Sequence, residues 1–137
     1  GLGDVYKRQL YDLSAGAELD LIANDWSQGG KLVVITRGGD GATLHLNGSK
    51  LHAPAPKINL VDTVGAGDTF MANLLAELDL VDALGNDPIA RLAKLSDSDL
   101  QRAAEIAAVA AGIVCERKGC EPPTLAETTA RVAAQAQ

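Results

Sequence analysis

Residues 58 to 78 run from a short apolar segment, Ile58 to Val61, through Asp62-Thr63-Val64-Gly65-Ala66-Gly67-Asp68-Thr69-Phe70 into the helical repeat Phe70, Leu74, Leu75 and Leu78. Few folds accept that order. It predicts a strand-like run, a glycine-rich turn and an amphipathic helix from Ala66 to Leu78. Glycines let the backbone approach an anion closely, and the unpaired N–H groups of a helix start, aided by the macrodipole, offset negative charge. A carboxylate is unfavourable in a site that only holds an anion. Asp68 becomes sensible there if it takes a proton from an attacking hydroxyl while the Gly65, Ala66 and Gly67 amides hold a transferring phosphoryl group. The plain alternative is that Asp68 caps its helix and the glycines make a tight turn.

The flanking segments suit an α/β protein. From Ala15, Leu19, Ile22 and Trp26 recur at helical spacing, with Ser14 as N-cap and Gly29-Gly30 as the stop. Leu32-Val33-Val34-Ile35 is a β-rich run fit for burial on both faces, and the helix-then-strand order favours a parallel sheet. After Thr36-Arg37-Gly38-Gly39-Asp40-Gly41, alternation through Thr43 to Leu46, then Asn47-Gly48, then Leu51 and His52, predicts a hairpin. Asp87-Pro88 opens a short helix, Ser96 a long alanine-rich helix to Cys115, and Thr124 with Glu127 forms a capping-box pattern for a last one. His45 and His52 are expected on the hairpin surface, and Cys115 and Cys120 as reduced core or turn thiols. Residues 1 to 9, including Val5-Tyr6-Lys7-Arg8-Gln9, show no continuing pattern and are read as a non-native leader. Residues 10 to 137 then form one unit.

The composition narrows the partners. A formal net charge of −6 works against nucleic acid and anionic membranes, which call for a basic surface. No apolar run approaches the roughly 20 residues that span a bilayer, and a cytoplasmic location is expected.

The segment Asp62 to Asp68 resembles the second signature, Asp-Thr-x-Gly-Ala-Gly-Asp, of the ribokinase-like, or phosphofructokinase B, family of sugar kinases. The resemblance implies a three-layer α/β fold, with a mainly parallel sheet flanked by helices and a β-hairpin. It implies Asp68 as catalytic base and Gly65, Ala66 and Gly67 as the anion hole. Two further segments extend it over about Leu32 to Pro123. Thr36, Arg37, Gly38, Gly39, Asp40 and Gly41 look like the turn bordering ATP, although alone they could form only a β-turn. The helix Ala107 to Gly112, followed by Arg117-Lys118-Gly119, looks like the element beside adenine, which places Ala108 in the nucleotide pocket together with Gly67 and Asp68.

By the same matching, main-chain groups of Asp62, Val64, Val114, Arg117 and Gly119 would surround K+. ATP and Mg2+ are the implied cofactors. Asn73, Ala108 and Glu116 depart from the usual pattern, at positions after the base, beside adenine and before the Arg. Family members run to roughly twice this length, so the chain is expected to be the C-terminal nucleotide-binding and catalytic part, inactive by itself. A homodimer is admitted for the full-length protein. Fructose is the favoured acceptor, with ribokinase, 2-keto-3-deoxygluconate kinase and nucleoside kinase left open. The rival reading is a non-catalytic nucleotide-binding module.

Overall fold

The computed structural model describes Val5–Lys7 and residues 16 to 136. The expected N-cap Ser14, the helix start at Ala15 and most of the supposed leader lie outside the described residues. In chain order the elements are β1 (Val5–Lys7), α1 (Gly16–Ser27), β2 (Leu32–Thr36), β3 (Ala42–Leu46) and β4 (Ser49–Ala53), then α2 (Ala66–Leu80), α3 (Pro88–Ala93), α4 (Asp97–Cys115) and α5 (Leu125–Gln135).

The sheet runs β1-β2-β3-β4, with β1 parallel to β2 and the other two pairings antiparallel. The expected hairpin is present, but among the described strands parallel pairing is confined to β1 and β2. The reason is local: the connections from β2 to β3 and from β3 to β4 are tight turns, too short for a parallel crossover. Asn47 and Gly48 supply positive φ, 49° and 81°, for the two-residue turn between β3 and β4. Pairing of Val5–Lys7 with Leu32, Val33 and Val34 was not foreseen. A Val-Tyr pair has high strand propensity, and the edge of β2 offers it a ladder.

Helices cover both faces of the sheet. Leu32, Val34, Leu44 and Leu46 point to one side and pack with Phe70, Leu74 and Leu78 of α2 and Leu100, Ala103, Ala104 and Ala107 of α4. On the other side Val33 and Ile35 meet Ala23, Leu19 and Trp26 of α1. This is the two-sided burial that the apolar run of β2 implied. Small side chains on α4 let it lie close along α2.

The helix starts are chemically specified where the sequence said so. Ser96 Oγ accepts the Asp99 N–H at 3.1 Å. At α5, Thr124 Oγ1 accepts the Glu127 N–H and Glu127 Oε2 accepts the Thr124 N–H, at 3.2 and 2.7 Å, a complete capping box. Asp87 stands at the N-cap of α3 but makes no side-chain cap, its backbone being left-handed at φ 55°.

His45 contradicts its expected surface position, being only 1% exposed. Alternation in β3 does not mean one wet face here, because α1 lies over Thr43 and His45. Nε2 of His45 sits 3.4 Å from Asp20 Oδ1. Burial pushes the imidazole pKa below its ordinary value, outweighing the pull of Asp20. Asp20 also binds Arg37 and Lys50, each at 2.8 Å. Its own burial opposes ionisation, but the Lys50 bond and the two cations win, and its pKa lies below the ordinary value. His52 is exposed, Cys115 buried and Cys120 exposed, as expected.

Candidate nucleotide and phosphoryl-transfer site

The glycine-rich turn opens α2 as anticipated. Gly65 occupies the N-cap in the left-handed region, φ 82°, and its carbonyl accepts the Thr69 N–H at 2.9 Å. Of the three proposed amide donors, that of Ala66 also reaches Thr63 O at 3.2 Å, closing the turn. Asp68 is exposed in the first turn of the helix, on the solvent side of the buried pair Thr69 and Phe70. The segment Ile58 to Val61 is not a strand. It lies as irregular chain beside α4, with Leu60 and Val61 exposed, and the Cys115 carbonyl accepts N–H groups from Val61 and Asp62 at 2.8 and 3.1 Å.

A cavity of about 450 Å³ opens beside this turn. One wall is the turn after β2, through Thr36, Gly38, Gly39 and Gly41. A second wall is the signature turn and the start of α2, with Thr63, Ala66, Gly67 and Phe70. The floor is one face of α4, where Ala108, Ala111, Gly112 and Cys115 follow helical spacing. The proposed nucleotide residues Thr36, Gly38, Gly39, Gly41, Gly67 and Ala108 are thus brought together.

Arg37, Asp40, Gly65 and Asp68 do not line the cavity. The Arg37 guanidinium turns away to Asp20, and Gly65 lies against Cys120. Sequence reasoning missed Ala55, Pro56, Ile58, Leu60, Thr63, Phe70, Ala111, Gly112 and Cys115 as cavity residues. The α4 set could have been found by stepping three and four residues along the helix from Ala108. Pro56 and Ile58 carry no such signal.

The residues matched to a cation site converge only in part. Asp62 Oδ1 accepts the Val64 N–H at 3.1 Å and Oδ2 the Gly119 N–H at 3.0 Å. Those N–H groups, Val64 first, hold the Asp62 carboxyl below the usual carboxylate range. The Val114 carbonyl accepts the Arg117 N–H at the end of α4, whereas the Gly119 carbonyl accepts the Glu121 N–H. The Arg117 side chain binds Glu127 at 2.7 Å and the carbonyls of Glu121 and Pro122. Among the described residues no three His, Cys, Asp or Glu side chains group as a metal cluster. Burial, reinforced by Asp62, pushes the Cys115 thiol up.

A methyl group at Gly65 would overlap Cys120 Sγ and lie 3.1 Å from Cys120 Cβ. Gly65→Ala should therefore lower the thermal midpoint, through this overlap and about 1–2 kcal/mol of left-handed strain. Adding Cys120→Gly should restore the steric part but not the strain. Equal melting of the single and double variants would show that the two turns do not touch.

The fold is that of ribokinase-like kinases. The chain superposes on the Vibrio cholerae O395 fructokinase in its fructose, ADP and calcium ion bound form with a TM-score of 0.66, at 24% identity, covering 85% of this chain and 35% of that one. Aminoimidazole riboside kinase from Salmonella enterica gives a TM-score of 0.70 at 24% identity, over 91% of this chain and 38% of that one. Residues 14 to 127 match the model of the pfkB family carbohydrate kinases, and the chain belongs to that family. A fructokinase of Rhizobium leguminosarum bv. trifolii is 43% identical over 74 residues, 53% of this chain and 23% of the relative. The ATP-dependent ribose-1-phosphate kinase of Halopiger xanaduensis is 29% identical over 114 residues, 82% of this chain and 32% of the relative. The chain thus spans well under half the length of these relatives. Among the described residues no helix is long and apolar enough to cross a membrane.

Proposed function

We propose that residues 10 to 137 are the C-terminal nucleotide-binding and catalytic part of an ATP-dependent, fructokinase-like sugar kinase. The observation that carries this reading is the single cavity shared by the Thr36–Gly41 turn, the Gly67 end of the signature and Ala108 of α4. ATP would lie over the turn after β2, its adenine against Ala108 and its γ-phosphate toward the start of α2. Asp68 accepts the proton of a sugar hydroxyl as the oxygen attacks phosphorus in line, and ADP leaves. The amides of Gly65 and Gly67, with the dipole of α2, stabilise the developing charge. Ala66 contributes what its N–H can share beyond the bond to Thr63.

Mg2+ bound through the nucleotide phosphates would neutralise their charge; the described residues offer no acidic cluster of their own for it. The main-chain oxygens of Asp62, Val64, Val114, Arg117 and Gly119 suit K+ by donor type, since each is a neutral carbonyl. We place the protein in the cytoplasm and leave nucleic acid out of its partners on the charge argument. The reading of residues 1 to 9 as a foreign leader stays a proposal, tested by sequencing upstream of Gly1.

The function is tested by sugar-dependent ADP release from the full-length protein, supplied with ATP, Mg2+ and in turn fructose, ribose, 2-keto-3-deoxygluconate and inosine. Fructose should be turned over fastest. ATP binding with no release on any acceptor would make the protein a nucleotide-binding module instead. The 137-residue chain alone should release none, and measurable turnover by it would show that it already holds a complete sugar site.

A further inference from the structure

The turn that opens α2 is held from behind by one side chain. The two oxygens of Asp62 accept N–H groups from residues far apart in sequence, Val64 at 3.1 Å and Gly119 at 3.0 Å. Gly119 has a positive φ of 76°, and an added Cβ there would meet nothing within 4 Å, so this residue has no side-chain packing of its own to fix it. The next residue, Cys120, lies directly against Gly65. A closed circuit results, from Asp62 to Gly119, through Cys120 to Gly65, and back along the signature.

The geometry points to Asp62 as a positioning residue for phosphoryl transfer, its side chain setting the spacing between the anion-hole turn and the Gly119-Cys120 turn. This rests on the kinase reading given above. The role is separate from any main-chain carbonyl contact of Asp62 with a cation. Asp62 touches no reacting atom; it acts by holding Gly65, and through Gly65 the donors that follow. Only a carboxylate serves both N–H groups. An asparagine offers one oxygen and turns an NH2 group, itself a donor, toward the other N–H. A shift of about 1 Å in catalytic donors can cost on the order of 100-fold in rate.

The test uses the full-length protein and the variants Asp62→Ala and Asp62→Asn. Amide hydrogen exchange at Val64 and Gly119 is followed alongside steady-state kinetics with ATP and fructose. Asp62→Ala should speed exchange at both amides, and lower kcat by roughly 10- to 100-fold with little change in KM for ATP. Asp62→Asn, nearly isosteric and the safer variant for folding, should free one amide and lose less of kcat. Unchanged exchange at both positions would overturn the clamp. Freed amides with undiminished kcat would overturn its catalytic purpose. If the wild-type protein transfers phosphate to no sugar, the kinase reading fails by that result alone, and the exchange rates still decide whether Asp62 holds the two turns.

Discussion

Asp68→Asn should lower turnover by about 100- to 10,000-fold, the range expected when a positioned general base is removed, and leave nucleotide affinity nearly intact. The asymmetry follows from the architecture. Asp68 is exposed in the first turn of α2 and does not line the cavity formed by the Thr36–Gly41 turn, Gly67 and Ala108. A group outside the nucleotide walls can be lost without disturbing them. Asparagine keeps the size of the side chain but cannot take a proton near neutral pH. Titration with ADP and a coupled assay of ADP release in the full-length protein would separate the two effects. Turnover within about threefold of wild type would remove the base assignment, because even weak general-base catalysis is worth more than that.

Gly41→Ala should be the most damaging single methyl addition in the nucleotide wall. Gly41 sits at φ 86°, and the added carbon would overlap the Ala53 carbonyl oxygen and lie 2.9 Å from the Ala55 nitrogen. Both obstacles are backbone atoms, so no rotamer change relieves them. The strained backbone costs about 1–3 kcal/mol before any steric term, enough to lower a thermal midpoint by roughly 5–10 °C in a small domain. Nucleotide binding should weaken with it, since Gly41 is the hinge between the cavity turn and β3. Gly39→Ala is the matched control, as an added carbon there meets nothing within 4 Å. Similar melting of the two variants would contradict the described path of this turn.

What could be read from the sequence was the part decided locally. Asn47-Gly48, Ser96 and the Thr124–Glu127 box work through residues no more than three positions apart, and each appears as written. The signature turn was legible for the same reason, since glycine freedom and a helix start are short-range properties. His45 was not, because its burial depends on where α1 lies, and alternation along β3 is the same whether the outer face is wet or covered. The direction of the Arg37 side chain was hidden by a related limit. Its backbone belongs to the turn beside the cavity, but Asp20 draws the guanidinium to the other side of the sheet. The cavity floor from Ala111 to Cys115 lay within reach, needing only the helical step from Ala108. The partners of Asp62 lay beyond it, Gly119 being 57 positions away.

One rod carries both ends of the proposed nucleotide site. Ala108 stands midway along α4, and the Cys115 carbonyl at its end fixes Val61 and Asp62 just ahead of the signature turn. Seven helical steps of 1.5 Å make that interval about 10 Å. In that proposed site the helix would act as a gauge block, keeping the adenine and phosphate ends at constant separation.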